Sequence, residues 1–523
     1  MGRSWEKVEF MPLARLVRSG LLIVSIVLSS PVWAEEEAGD ISRSLDRIPE
    51  GVHLTEDQRR FVREQLETTL KLYDEHFRVP ETGQYLDLLR IDAEHQERRI
   101  SSIAATGIGL ISLAIGDKLG TVADAEKKAA FTLRNLLNDD PTAGFYTERS
   151  KSGWYHHFIN GDTGAAEFVS KYTYSTIDTA LLAAGAAMVG NHFAGKAMDT
   201  GQTDMPEVVD LAWKLVFSVR WNTAIRETFR PSINQVFYGR NEKLEDRFWS
   251  LLYDEYVLLP CIGRSVEGMS RAPDVAHRFW DKYLTDVRNL PQLFFSGKTV
   301  LATGGNNFVS HFTLQFGYYM CRDLLTNPTY GKELAEAMEA DRDWFRWRGG
   351  GKYADRWWGL GAGAELMWNH ETGEPTGERY AANSLGDNPN HTFSPSIMGG
   401  FLPIEQRYVP NRPEGSQIVS ELMEMYRRDE CLYDHRGLKV LWRCGALDPS
   451  KRVVNLQGID LSTYMFGLAA VDRGVGLDFF RDTAPGIGGA MERSMSLLDG
   501  RDKASLSQKD EVKTADKNQN TLR

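Results

Sequence analysis

Cysteine is scarce: 523 residues contain four, Cys261, Cys321, Cys431 and Cys444. None falls in a CxxC pair or a Cys/His cluster, so the spacing has no zinc-site form, and nothing in the chain demands a metal or other cofactor. Positive charge is also short. Against 72 Asp and Glu stand 61 Lys and Arg, a net charge of -11, which removes the field that a nucleic-acid partner would need. Past the N-terminal segment no apolar run is long enough to span a bilayer. Residues 100–115 (ISSIAATGIGLISLAI) come nearest, but Ser, Thr and Gly interrupt them and they read as a helix buried in protein. Gly349-Gly350-Gly351 has no following Lys-Ser/Thr and Ser394 and Ser396 lack a GxSxG elbow, which excludes a P-loop and an α/β-type serine hydrolase. No βαβ alternation and no clean repeat appear.

What is present fits an exported globular protein. Residues 1–34 have the form of a Sec-type signal peptide. Lys7, Arg15 and Arg18 precede the apolar stretch 21–28, and Val32-Trp33-Ala34 stands before three glutamates. Cleavage after Ala34 is expected, with Met11 as an alternative start, and the mature chain is placed in a periplasm or outside the cell. In that oxidising setting the four cysteines allow three pairings, of which Cys431 with Cys444 is the one close in sequence. Free buried thiols and one disulfide stay equally open. Aromatic residues reach 11%, with 13 Trp and 19 Tyr, a share that suits a carbohydrate cleft and equally a large helical core.

Residues 35–54 are expected to be flexible, residues 55–490 to form one catalytic domain, and residues 491–523 to be a disordered tail. Within the domain, Thr55-x-x-Gln58 opens a helix with Val62, Leu66, Leu70 and Phe77 on one face. Further helices are predicted over 100–115, 122–138, 206–219, 242–262, 276–290, 308–325, 332–347, 418–428 and 460–480. The Gly- and Pro-rich stretch 357–413 reads as long loops. The pattern predicts an all-α fold of about a dozen helices, compatible with a six-pair toroid.

Two acids stand in apolar surroundings. Asp178 follows Ser175 by three positions at the head of an Ala- and Gly-rich run, either as a helix cap or as a pocket residue. Glu255 sits in Phe248–Pro260, FWSLLYDEYVLLP, where desolvation would raise its pKa as a general acid needs. The structural alternative pairs it with Arg247 or Arg264. His156, His157 and His311 lie beside aromatics as wall residues or ligands, without zinc spacing. Trp357-Trp358 reads as a sugar-stacking rim or as core, and Asp460 as a cap or a pocket acid.

Together these stretches resemble the glycoamylase-like domain of bacterial β-1,2-glucanases (glycoside hydrolase family 144 and relatives) and of cyclic β-1,2-glucan synthases. Ser175-Thr-Ile-Asp-Thr-Ala-Leu-Leu182 is identical to the family's STIDTALL run, and Ile103–Gly109 is similar to its early AATG(F/I)G helix. His157-Phe158 stands in step with its YHF segment. Tyr253-Asp254-Glu255 resembles its YNE, Ser310-His311 the SH of its GHQYSHMWIDF, and Trp358-Gly-Leu360 and Gly458-Ile-Asp460 its later motifs. The resemblance implies an (α/α)6 toroid with long loops over a cleft, and an inverting, endo-acting hydrolase of β-1,2-glucan or a related β-glucan. It assigns Glu255 as general acid and Asp178 as base or hydroxyl holder, and it leads to substrate contacts at His157, Tyr253, His311, Trp358 and Asp460. The chain departs from the pattern at Thr173 and Gln315, where the family has acids. The expected partner is an oligo- or polysaccharide, bound by a monomer with no membrane span in the mature chain. A transglycosylase, a polysaccharide lyase leaning on His157, Tyr253 or His311, and a non-catalytic glucan binder are the rival expectations.

Overall fold

Among the described residues six helices are buried on nearly every side: Ile103–Leu119, Thr176–Asp199, Leu258–Glu267, His311–Met320, Pro395–Gly400 and Gly458–Val471. For the Ile103, Thr176 and Gly458 helices burial all round follows from composition, since small and apolar residues leave little polar face to turn to water. The computed structural model describes residues 53–91, 99–202, 204–227, 231–239, 242–243, 253–267, 275–303, 306–369, 371–409 and 414–486. The expected signal peptide, most of the 35–54 segment and the 491–523 tail lie outside the described residues.

Glycines bring the buried helices into near backbone contact. A Cβ on Gly185 would stand 2.0 Å from the Gly107 carbonyl oxygen, and one on Gly467 would stand 1.8 Å from that of Gly399. The Ile103 helix is thereby pressed onto the Thr176 helix, and the Pro395 helix onto the Gly458 helix. Amphipathic helices cover this interior. Glu56–Leu72 starts at a complete Thr55/Gln58 capping box and buries Phe61, Val62, Leu66 and Leu70. Ala125–Leu137, Glu207–Phe217, Val275–Tyr283, Pro328–Gly349 and Gln417–Arg427 answer the other expected helices.

Short strand pairs frame the N-termini of the buried helices. Ile100–Ser102 pairs with Phe158–Asn160, Thr173–Ser175 with Val236–Tyr238, Thr392–Phe393 with Cys444–Gly445, and Leu88–Arg90 with Asn455–Gln457. All four pairs are antiparallel, and one strand of each runs straight into a buried helix. The expected helical body is present, and small sheets that the sequence did not announce are threaded through it. The expected long loops of 357–413 likewise contain a hairpin, Ala362–Asn369 with Glu374–Ala382, and two short helices, Pro395–Gly400 and Leu402–Tyr408. The second hairpin strand, EPTGERYAA, has no apolar alternation, so no period-2 signal announced it.

The helix expected over 242–262 is also corrected where it is described. Asp254 is extended (φ -166°, ψ -162°), and its carboxylate caps a 3-10 turn, Glu255–Val257, by accepting from the Tyr256 amide at 2.9 Å. The α-helix begins only at Leu258. Cys261 is bonded to Cys321 and Cys431 to Cys444, so all four thiols are used. Among the described residues no helix is long and apolar enough to cross a membrane.

Candidate active site

Asp178 occupies the first turn of the Thr176 helix. Ser175 caps that turn, its hydroxyl accepting from the Asp178 amide at 3.3 Å. The cap belongs to Ser175; the Asp178 carboxylate is turned elsewhere, with Oδ1 3.4 Å from His157 Nε2. Asp178 is 5% exposed, whereas the His157 side chain keeps 41% of its surface open. His157 is held from behind, because its carbonyl accepts the Ile103 amide at the start of the neighbouring buried helix.

Glu255 heads the 3-10 turn that leads into the third buried helix, and it is half-buried. Burial, with the negative charges of Asp254, Asp178 and Asp460 added, pushes its pKa from 4.5 to about 8. Among the described residues it has no cationic partner: Arg264 instead pairs with Asp323 at 3.5 Å and lies over the Trp280 ring. Arg247 lies outside the described residues.

Asp460 enters from the first turn of the Gly458 helix, 3% exposed, and accepts a hydrogen bond from the Tyr380 hydroxyl at 3.4 Å. Burial raises its pKa to about 7 against the opposing charge of Arg443, with Asp87 adding to the rise. Asp87 sits beside the Leu88–Arg90 strand, bound through its backbone to Ile100 and Gly458. Burial lifts it to about 6, His157 opposing and Asp178 adding. Asp254 is pushed to about 7 by burial. Carboxyls from four distant stretches thus share one electrostatic neighbourhood, and at neutral pH they cannot all ionise cheaply. A carboxyl that keeps its proton at neutral pH, as Glu255 does here, is what a general acid requires.

Three expected substrate contacts are corrected by burial. Tyr253 is 0% exposed and its hydroxyl is hydrogen-bonded to that of Tyr330 at 2.7 Å. His311 is 0% exposed, with Nδ1 2.9 Å from Asp341, which also accepts the Gly359 and Leu360 amides. Trp358 is sealed as well: its indole donates to Glu421 at 2.8 Å and Arg342 lies over its ring. These three hold the wall together. His156 is a wall residue too, its Nδ1 against the Ser170 and Thr173 carbonyls. His157 and Asp460, by contrast, are brought to the acids. Gln315 is interior, donating to the Ile397 carbonyl.

Several members escaped the sequence reading. Asp87, Tyr380 and Arg443 lie on strands and turns without a motif of their own. Arg443 is fully buried and donates to Asn383; Gly363, at φ +129°, leaves the space its Cδ fills. Among the described residues the single group with metal-ligand proximity is Cys261, Cys321 and Asp323, and its sulfurs are joined in a disulfide, leaving no thiolate to bind an ion.

No protein-family model and no curated protein matches the chain. Solved structures do. The chain aligns over 84% of its length with 98% of a proposed glucoamylase from Bacteroides caccae, at TM-score 0.63 and 15% identity. It aligns over 85% with 98% of an endo-β-1,2-glucanase from Chitinophaga pinensis, solved with sophorotriose and glucose, at TM-score 0.63 and 13% identity. With an endo-β-1,2-glucanase from Talaromyces funiculosus bound to sophorose, 85% of the chain and 86% of the enzyme align, at TM-score 0.50 and 13% identity. The chain therefore has the glycoamylase-like fold. The resemblance carried by residues 175–182 holds at the level of that fold.

Proposed function

We propose that the protein is an exported glycoside hydrolase that cleaves β-1,2-glucan, or a related β-glucan, within the chain and with inversion. The observation that carries this reading is Glu255: a half-buried carboxyl with no cation beside it among the described residues, its pKa raised to about 8 by burial and by the charges of Asp254, Asp178 and Asp460. In this reading Glu255 is the general acid and Asp178, set against His157, the second carboxylate, with Asp460 its rival for activating water. The alignment with two enzymes whose named activity is endo-β-1,2-glucan cleavage supports the substrate class. The buried helices pack in succession from Ile103 through Thr176 to Leu258, and from His311 through Pro395 to Gly458 and back to Ile103. The Glu255–Val257 turn, packed on the His311 helix, and the Cys261–Cys321 bond join the two runs, which supports an (α/α)6 ring with the acids at its helix N-termini. The two disulfides support export.

A lyase has less to work with, since two of its three expected residues, Tyr253 and His311, are interior. Incubation with β-1,2-, β-1,3-, β-1,4- and β-1,6-glucans, resolving products by size and anomeric form, tests the reading. Oligosaccharides of inverted anomeric form are expected from β-1,2-glucan, and Glu255→Gln should lower kcat by about 10²–10⁴-fold. Near-normal release by Glu255→Gln would remove the acid from its role. Unsaturated products would select a lyase, products of increased length a transglycosylase, and binding without product a glucan-binding protein.

A further inference from the structure

Aromatic rings lead away from the acids, and the cleavage step does not use them. His157, 3.4 Å from Asp178, stacks on Phe158 with ring centroids 3.7 Å apart and planes 18° from parallel. Phe158 meets Phe168 edge to face at 6.1 Å. Phe168 opens the 3-10 turn Phe168–Tyr172, which runs through Thr173–Ser175 into the helix of Asp178. The turn leaves two large rings open to water: Phe168 is 50% exposed and Tyr172 is 72% exposed. One exposed ring is ordinary; here two stand on one turn, and Phe168 is joined through Phe158 and His157 to a site carboxylate.

The backbone gives a second, independent sign. Phe168 has φ +50°, in the left-handed region that glycine occupies freely and that strains a bulky residue. Glycine would adopt this backbone more readily, so the ring is placed at this position at a conformational cost. Tyr380 repeats the arrangement beside Asp460: its ring is 60% exposed while its hydroxyl is tied to that carboxylate.

We propose that Phe158, Phe168 and Tyr172 form a saccharide-stacking subsite continuous with Asp178, which holds a sugar unit remote from the bond being broken, with Tyr380 as the facing platform on the Asp460 side. Flat rings match the C–H faces of a pyranose and ask for no charge on the ligand, which suits a neutral glycan beside so many carboxyls. The subsite rests on the glycosidase reading and specifies how that enzyme grips a long chain rather than a short one.

Linear β-1,2-gluco-oligosaccharides of graded length test it, with KM and kcat measured at each length for the wild type, Phe168→Gly, Tyr172→Ala and Phe168→Trp. Phe168→Gly removes the ring while easing the backbone, so misfolding does not confuse the result. The ratio of KM for the longest chain to KM for the shortest should rise about tenfold in Phe168→Gly and Tyr172→Ala, and stay at the wild-type value in Phe168→Trp. An unchanged ratio in both ring deletions, or the same rise in Phe168→Trp, overturns the subsite. If the wild type cleaves none of the oligosaccharides, calorimetric Kd values replace KM. Tighter binding of longer chains, lost in Phe168→Gly, then upholds the platform while the hydrolase reading falls; binding with no length dependence, or no binding at all, overturns the platform.

Discussion

Glu255 sits where a carboxylate is least welcome, and the pH dependence of the folded state should reflect it. In the unfolded chain its proton leaves near the ordinary 4.5; in the folded protein it is held to about 8, chiefly by burial. Between those values the unfolded state releases a proton that the folded state retains, so the contribution of Glu255 to stability falls as pH rises through this window. Glu255→Gln removes the ionisable group, and its melting temperature should exceed that of the wild type at pH 8 by more than at pH 4. An equal difference at both values would show that Glu255 is not desolvated. Activity should fade on the alkaline side near pH 8, where the proton needed for the leaving oxygen is lost. Half of this residue-scale picture was legible: an acid inside FWSLLYDEYVLLP announces desolvation. The partners were not, because Asp87, Tyr380 and Arg443 reach the site from strands and turns distant in sequence, where no local pattern marks them.

At the scale of the element, helix heads were the most readable features. Thr55 with Gln58 and Ser175 with Asp178 both cap as their spacing predicts, although at the second only Ser175 does the capping and Asp178 is released to the site. Strands of two or three residues escaped, since alternation needs more length than they have. The Ala- and Gly-rich run of the Thr176 helix announced close packing, and one helix now offers its own control. A methyl at Gly185 would press into the Gly107 carbonyl at 2.0 Å, whereas one at Gly195 meets nothing within 4 Å. Gly185→Ala should therefore destabilise by about 1–3 kcal/mol or more through overpacking. Gly195→Ala should be neutral or stabilise by up to about 1 kcal/mol through helix propensity. Urea unfolding of both variants decides it; equal effects would mean that the two buried helices are not in backbone contact.

For the whole molecule the disulfides join what the sequence keeps apart. Separation along the chain could point only to Cys431 with Cys444, 13 residues apart; Cys261 and Cys321 lie 60 apart and meet because two buried helices are neighbours. Cys261 lies in the helix that the Glu255 turn leads into, and Cys321 follows the His311 helix, so this bond fixes the mounting of the proposed acid onto the adjoining helix. Closing the longer loop removes more freedom from the unfolded chain: about 4 kcal/mol for the Cys261–Cys321 bond against about 3 kcal/mol for Cys431–Cys444, in the loop-entropy account. Paired serine substitutions at each bridge, compared by denaturant unfolding under oxidising conditions, should reproduce that order. The Cys261/Cys321 pair should also lower activity at temperatures below its unfolding transition, since of the two bridges that one braces the helix behind Glu255. The reverse order of stabilities, with activity lost at the Cys431/Cys444 bridge instead, would show that the acid is held by the hairpin side of the molecule and not by the helix pair.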